Sequence, residues 1–134
     1  MNCKSNPKAV FKKLFGNTDY DIDIVYENSK LVCYCEKAHR VTDEKYILSV
    51  SDKYVKIRCS SEKGAFYALC DLARRIDENT VSDGEYICSP SFAARGYIEG
   101  FYGSPWSHES RKTVMKLMAK NRMNTVYHAP KEDL

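Results

Sequence analysis

Two short extended segments, separated by one amphipathic run, constrain the fold of this chain more than any other feature. The first, residues 95–101, reads R-G-Y-I-E-G-F. A Gly-Ser-Pro turn begins at Gly103, where the glycine permits a sharp bend and the proline suits the start of a helix. The second, residues 125–129, stops at Pro130, which removes a ladder donor. The 39 residues from 95 to 133 therefore predict a strand, a helix and a second, parallel strand.

The run between the two segments has the pattern of a helix with one apolar face. Val114, Leu117 and Met118 recur at helical spacing, and Ser104 or Ser107 is placed to cap the helix. Three lysines fall on the opposite side: Lys112, Lys116 and Lys120. We interpret them as the wet face of the helix and not as a site for nucleic acid or another anionic polymer, because aromatic residues do not interleave with them.

The motifs at the two segments resemble those of a known enzyme family. E-G-F-Y-G-x-P-W begins at Glu99, and N-T-x-x-x-A-P-K-[DE]-D begins at Asn124. Together they are similar to the opening of the catalytic barrel in family 84 of the glycoside hydrolases, which contains β-N-acetylglucosaminidases, hyaluronidase-like enzymes and O-linked N-acetylglucosamine hydrolases. The resemblance implies that residues 95–134 begin a TIM (β/α)8 barrel that is truncated here, since a whole barrel needs about 250 residues.

A barrel of this kind places its sugar site at the carboxyl ends of the strands. By the resemblance, Gly100 contacts the sugar through its main chain, Lys131 contacts it through its ammonium group, and Tyr102 lines the pocket wall. A glycine lets a ligand approach the backbone without meeting a Cβ, and a lysine supplies three charged donors. The alternatives are simple backbone packing for Gly100 and a surface charge for Lys131. No cofactor and no metal is implied.

The resemblance also implies that this chain contains no catalytic residue. Family members use the acetamido oxygen of the substrate as nucleophile in a retaining mechanism, assisted by two neighbouring aspartates that no position here matches. Glu132 and Asp133 are adjacent on an extended segment, so their side chains point to opposite faces, and we interpret them as a solvated loop. We therefore expect an inactive N-terminal fragment of a β-N-acetylglucosaminidase. The alternatives are a non-enzymatic carbohydrate-binding or protein-interaction module and a fragment of a related hexosaminidase family.

Four further residues lie close to the predicted site. We expect Glu99 to be a buried carboxylate paired with a cation, with a supporting role in the site as the alternative. Trp106 is expected to pack under the first turn of the helix in preference to stacking on a sugar, and His108 belongs to that turn. His128 faces either the core or the pocket, and one histidine alone makes neither a base nor a metal ligand.

Residues 1–89 predict a small α+β domain with a mostly antiparallel sheet, and 90–94 predict a linker because Pro90-Ser91 breaks the pattern. The predicted helices lie at 7–15 and 62–77, and the predicted strands lie at 20–26, 31–35, 46–51, 54–59 and 85–88. The first four strands form two hairpins. The second helix is expected to pack on the sheet through Phe66, Leu69, Cys70, Ala73 and Ile76. This arrangement is similar to the small domain that precedes the barrel in families 84 and 20.

Charge and cysteine usage limit the partners of the chain. Residues 1–94 hold 14 basic and 14 acidic side chains, so the net charge of +3 comes from residues 95–134 and implies no nucleic-acid partner. The six cysteines lie within apolar patterns, so we expect reduced, buried thiols. No apolar run suits a signal peptide or a membrane span, so we expect a cytoplasmic protein without a membrane partner.

The expected partner is a glycan or glycoprotein that carries N-acetylglucosamine. Barrel strands without neighbours leave apolar surface uncovered, which rarely persists on a monomer. Residues 95–134 are therefore expected to pack onto the small domain, to self-associate with another chain, or to be less ordered than residues 1–89.

Overall fold

The computed structural model describes residues 6–27, 43–100 and 104–129. The elements in chain order are α1 (Pro7–Phe15), β1 (Asp21–Tyr26), β2 (Tyr46–Ser51), β3 (Tyr54–Cys59), α2 (Glu62–Asp77), β4 (Gly84–Cys88), β5 (Gly96–Gly100), α3 (His108–Lys120) and β6 (Thr125–Ala129). The strand predicted at 31–35, with the hairpin it would form, lies outside the described residues. The mixed α+β class predicted from the sequence is confirmed.

Four strands form one sheet in the order β1-β3-β2-β4. β2 is antiparallel to both β3 and β4, so the predicted second hairpin and the mostly antiparallel sheet are confirmed. The turn of that hairpin uses Asp52 at a φ of 51°, a left-handed conformation that aspartate tolerates better than most residues. β1 is parallel to β3, with Ile22 opposite Val55 and Ile24 opposite Ile57. This parallel pairing was not predicted.

The core of the sheet lies under α2, which Ser61 caps by accepting a hydrogen bond from the Gly64 amide. Leu69 and Leu72 of the helix are fully buried, as are Leu48 and Ile57 of the sheet. The prediction for Leu69, Cys70 and Ala73 is confirmed, since all three are buried. Ile76 is 37% exposed, so its assignment to the buried face was wrong. The buried apolar face of α2 ends at Leu72, the last large apolar residue of the helix that is fully buried, and Ile76 in the last turn is no longer covered.

The second unit is the predicted strand, helix and parallel strand. β5 and β6 pair in parallel with Gly96 opposite Thr125 and Gly100 opposite Ala129. Ser107 caps α3 by accepting a hydrogen bond from the Ser110 amide. Met118 is buried, but Leu117 is 61% exposed, so the predicted apolar face is narrower than the sequence spacing indicated.

This unit packs onto the four-stranded part of the molecule. α3 lies against α2, and the Tyr67 hydroxyl donates a hydrogen bond to the Met123 carbonyl at 3.2 Å. The Arg95 guanidinium contacts the buried Glu44 carboxylate. The side-chain amide of Asn124 donates to the same carboxylate at 3.3 Å. The described residues of 95–129 thus pack onto the four-stranded part, which is one of the three outcomes expected, and self-association stays a prediction. The linker boundary at 90–94 stays a prediction. No helix in the described part of the chain has the length and apolar character needed to cross a membrane.

Candidate functional site

The carboxyl ends of β5 and β6 lie side by side, where the sequence predicts a sugar site. Gly100 is exposed and forms the last pair of the ladder with Ala129. Lys131 follows that pair by two residues in the chain. Lys131 and Tyr102 themselves lie outside the described residues, so their predicted roles stay predictions. The structure therefore places the main chain of Gly100 at the predicted edge.

Glu99, the residue before Gly100, is a buried carboxylate held by cations from two elements. The residue is 4% exposed. The Arg111 guanidinium of α3 donates from Nη2 to Oε1 at 3.0 Å and from Nε to both carboxylate oxygens at 3.2 Å. His128 of β6 places Nδ1 3.2 Å from Oε2. The predicted pairing of Glu99 with a cation is confirmed, and His128 is found to face this carboxylate.

The environment keeps Glu99 ionised. The hydrogen bonds from Arg111 lower the pKa of the Glu99 carboxyl, burial opposes that effect, and the nearby charges of Arg111 and His128 add to the lowering. A carboxyl group with a lowered pKa carries no proton near neutral pH. Glu99 is therefore unsuited to act as a general acid.

Trp106 lies just before Ser107, the N-cap of α3, and stacks on Tyr97 of β5. The two ring centroids are 5.9 Å apart and the rings are inclined by 24°. Trp106 keeps 46% of its surface exposed. The contact supports the packing interpretation of Trp106, because one ring face is taken by a side chain of the strand. His108 is the first residue of α3, as expected.

The lysines of α3 are engaged mainly by their own molecule. Lys112 donates to Glu109 at 2.9 Å, and Lys120 contacts Asp77 of α2 and lies 5.2 Å from the ring centroid of Phe15. Lys116 and Lys120 also line a cavity of about 430 Å³ among α1, α2 and α3, to which no described residue of β5 or β6 contributes. Lys112 and Lys116 are exposed, as predicted for the wet face of the helix, whereas Lys120 is partly buried against α2, so its assignment to that face was wrong.

A buried polar network around Asp71 was missed by the sequence analysis. Asp71 is 1% exposed and accepts hydrogen bonds from Tyr46 at 3.0 Å and from Arg74 at 2.9 Å. Arg122 donates to the Tyr46 hydroxyl at 3.4 Å and to the Cys88 sulfur at 2.9 Å. A signal existed, because Asp71 interrupts the apolar run A-L-C-D-L-A at a position that helical spacing places inside. The network joins α2, β2 and β4 to the turn after α3.

Two of the cysteines have the properties of small buried apolar residues. Burial raises the pKa of the Cys59 thiol to about 11 and that of the Cys70 thiol to about 12. Cys59, Cys70 and Cys88 are all free. Within the three described ranges, no group of three or more His, Cys, Asp or Glu residues is placed to hold a metal ion.

Comparison with known proteins gives matches concentrated in the second unit. Residues 95–134 match the β-N-acetylglucosaminidase family. Protein O-GlcNAcase from Rattus norvegicus is 47% identical over 38 residues, and the protein of that name from Mus musculus shows the same identity over the same length. Those residues make up 28% of this chain and 4% of each relative. The chain thus matches only a small part of the length of these curated relatives.

Solved structures extend the likeness over most of the chain. CpGH84B is 36% identical, with a TM-score of 0.58 over 69% of this chain and 17% of its own. CpGH84D, at 21% identity, has a TM-score of 0.60 over 96% of this chain and 25% of its own. A GH138 enzyme targeting pectin rhamnogalacturonan II has a TM-score of 0.55 at 17% identity over 91% of this chain and 17% of its own. The last two likenesses concern the fold alone.

The motif resemblance, the family match over residues 95–134 and the similarity to CpGH84B agree with one another. The resemblance predicted from the sequence is confirmed: this chain is similar to the glycoside hydrolases of family 84, most specifically over residues 95–134.

Proposed function

We propose that this chain is the N-terminal part of a hydrolase that removes β-linked N-acetylglucosamine, and that it supplies sugar contacts without the catalytic acids. The match of residues 95–134 to the β-N-acetylglucosaminidase family carries the proposal. The parallel ladder supports it, since Gly100 and the strand that leads to Lys131 end at the same edge. The proposed substrate is a glycan or glycoprotein that carries N-acetylglucosamine.

In the proposed site, Gly100 offers its main chain to the sugar, Lys131 offers its ammonium group, and Tyr102 forms part of the wall. The acetamido oxygen of the sugar attacks its own anomeric carbon in the substrate-assisted form of retaining hydrolysis. One carboxylate orients the acetamide and a second carboxylic acid protonates the leaving oxygen. Glu99 does not fill the second role, because its pKa is lowered by Arg111.

A binding experiment tests the sugar contacts. Titration of the ¹⁵N-labelled chain with N-acetylglucosamine, followed by NMR, is expected to shift the amide signals of Gly100 and Lys131. Lys131→Ala should weaken binding by about tenfold or more, because a charge-assisted hydrogen bond is lost. Lys116→Ala is the matched control, since Lys116 is exposed and lines the cavity among α1, α2 and α3, to which no described residue of β5 or β6 contributes. Equal binding by both variants would remove Lys131 from the site.

A hydrolysis experiment tests the absence of the acids. The purified chain is expected to leave an aryl N-acetylglucosaminide intact, because proton donation to the leaving group is missing. The readout is release of the aryl alcohol against a buffer blank. Turnover above the blank that disappears in Lys131→Ala would show that the chain is itself a complete enzyme.

The second unit is further proposed to be the first βαβ unit of a (β/α)8 barrel that follows a domain boundary at 90–94. The similarity in fold to CpGH84B and CpGH84D supports this placement. In a complete barrel the strands are covered on both faces.

An interaction module is the second candidate function, and one observation favours it. Ile98 and Tyr127 are paired in register on β5 and β6, and they are 67% and 60% exposed. We propose that the chain self-associates through this face. Sedimentation at rising concentration should show an increasing mean mass that Ile98→Lys abolishes, whereas a constant monomer mass would exclude self-association.

A further inference from the structure

Among the described residues of the second unit, Glu99 is the buried acid, and it touches both elements that pack around it. Arg111 reaches it from the first turn of α3, and His128 reaches it from β6. In the ladder, Glu99 is opposite His128, and the next pair is Gly100 opposite Ala129. The carboxylate therefore lies one residue before the point where the chain meets the proposed sugar.

The other end of the two strands has its own fixed contacts. The Arg95 amide donates to the Asn124 side chain at 2.9 Å, and the amides of Asn124 and Thr125 donate to the Arg95 carbonyl at 2.7 and 3.0 Å. The two strands are thus held together by main-chain and amide contacts where they begin. Where they end, the charged cluster of Glu99, Arg111 and His128 holds them.

Gly100 cannot hold its own position by side-chain packing. It has no Cβ, and a glycine has more backbone freedom than any other residue. A main-chain group that must meet a ligand within hydrogen-bond distance then depends on its neighbours for its orientation. The residue directly before it, Glu99, has a buried side chain with several hydrogen bonds.

We infer that Glu99 is a positioning residue that fixes the Gly100 main chain by linking the start of α3 to the end of β6. The effect on sugar binding rests on the proposed function. The effect on the position of Gly100 rests on the contacts of Glu99 alone. It assigns Glu99 no contact with the substrate. Arg111 and His128 are the charged or titratable groups that face the carboxylate from the described elements packed against it.

The test compares Glu99→Gln with Glu109→Gln in the ¹⁵N-labelled 134-residue chain. Glu109 is an exposed acid of α3 that pairs with Lys112, so it is a control for charge removal. Without ligand, Glu99→Gln is expected to shift the Gly100 and Ala129 amide signals and to speed their hydrogen exchange by at least about tenfold, while amides of β2 and β3 keep wild-type exchange rates. Affinity for N-acetylglucosamine should fall by up to about tenfold, the effect of one misplaced hydrogen bond.

A pH titration separates positioning from general destabilisation. In the wild-type chain, the Gly100 amide shift should stay constant as pH falls through the ordinary carboxyl range near about pH 4 and change only below it. In Glu99→Gln that low-pH step should be absent, and in Glu109→Gln it should remain. Unchanged Gly100 and Ala129 signals in Glu99→Gln would overturn the inference. If Glu99→Gln displaces the Gly100 and Ala129 signals but the wild-type chain shows no shift on addition of sugar, the proposed function would be overturned. The role of Glu99 in fixing the strand end would then still stand.

Discussion

Asp71 shows how one buried acid ties stability to pH. Burial alone would raise the pKa of the Asp71 carboxyl, but the hydrogen bond from Arg74 and the charges of Arg75 and Arg122 outweigh burial and lower it. Because the folded pKa lies below the unfolded one, this stabilisation is complete above the ordinary carboxyl range near about pH 4 and is lost as pH falls through the folded value. Glu99 contributes with the same sign.

We therefore expect the free energy of unfolding to be nearly constant from about pH 5 to 7 and to decrease at lower pH. Urea denaturation of the wild type and of Asp71→Asn over this range measures the effect. The variant should be less stable at neutral pH and should lose less stability on acidification. Parallel pH curves for the two proteins would show that Asp71 is not a major source of the dependence.

A second prediction for a single residue concerns the hydroxyl of Tyr46. Tyr46→Phe removes the donor to Asp71 in a fully buried position and should destabilise the fold by about 1–3 kcal/mol. Tyr54→Phe is the control, because Tyr54 is exposed and its hydroxyl lies 3.4 Å from the Asp23 carboxylate. Its expected cost is below about 0.5 kcal/mol. Equal urea midpoints for the two variants would refute the assigned importance of the buried contact.

The sequence predicted the surroundings of some side chains and not those of others. The ion pair of Glu99 was predictable, because an acid inside an apolar strand needs a cation, but its partners Arg111 and His128 were not, since they depend on packing. Asp71 was missed because local spacing shows that a side chain points inward without showing what it meets there. Tyr102 and Lys131 stay predictions that rest on the motif.

At the scale of elements, α2 is the main source of apolar contact for the four-stranded sheet. Leu69→Ala should cost about 2–5 kcal/mol, because Leu69 is fully buried and the cavity would refill only in part. Leu117→Ala on α3 is a matched change at an exposed position and should cost much less. Urea denaturation measures both. A small loss for Leu69→Ala would mean that the helix is loosely packed on the sheet.

The close approach of β5 and β6 at their first residues gives another prediction. A Cβ at Gly96 would lie 1.6 Å from the Thr125 carbonyl oxygen, so any larger residue forces the strands apart. Gly96→Ala is expected to destabilise the second unit by about 1–3 kcal/mol or more. NMR should show altered Arg95, Asn124 and Thr125 signals with little change in β2 and β3. A wild-type spectrum for the variant would contradict the observed strand spacing.

The bounds of several elements followed directly from local chemistry. α1 begins after Asn6 and ends before Gly16 as predicted, because a side-chain cap and a glycine stop are written in the sequence. The strands of the second hairpin also have their predicted bounds. The parallel pairing of β1 with β3 was beyond such reasoning, because it joins segments separated by another strand. The exposure of Ile76 and Leu117 likewise depends on how neighbouring helices cross.

At the scale of the whole molecule, the two units differ in how well their strands are covered. β2 is mostly buried and β3 buries every second residue, whereas the exposed Ile98 and Tyr127 leave one face of the β5–β6 pair open. Amides of β5 and β6 should therefore exchange faster than those of β2 and β3 by at least about tenfold in a dilute monomer. Hydrogen exchange followed by NMR measures the ratio. Equal protection of the two sheets would contradict the view that the second unit lacks part of its cover.

The contact of Glu44 with Arg95 and Asn124 also sets an order of events during synthesis. Glu44 precedes Arg95 by 51 residues and Asn124 by 80, so a ribosome releases the acceptor well before either donor. N-terminal segments generally fold first. The four-stranded sheet can therefore present the Glu44 carboxylate as a binding site while the segment that contains Arg95 and Asn124 is still being synthesised. β5 would then start from an anchored point, with its direction already set by the sheet that emerged before it.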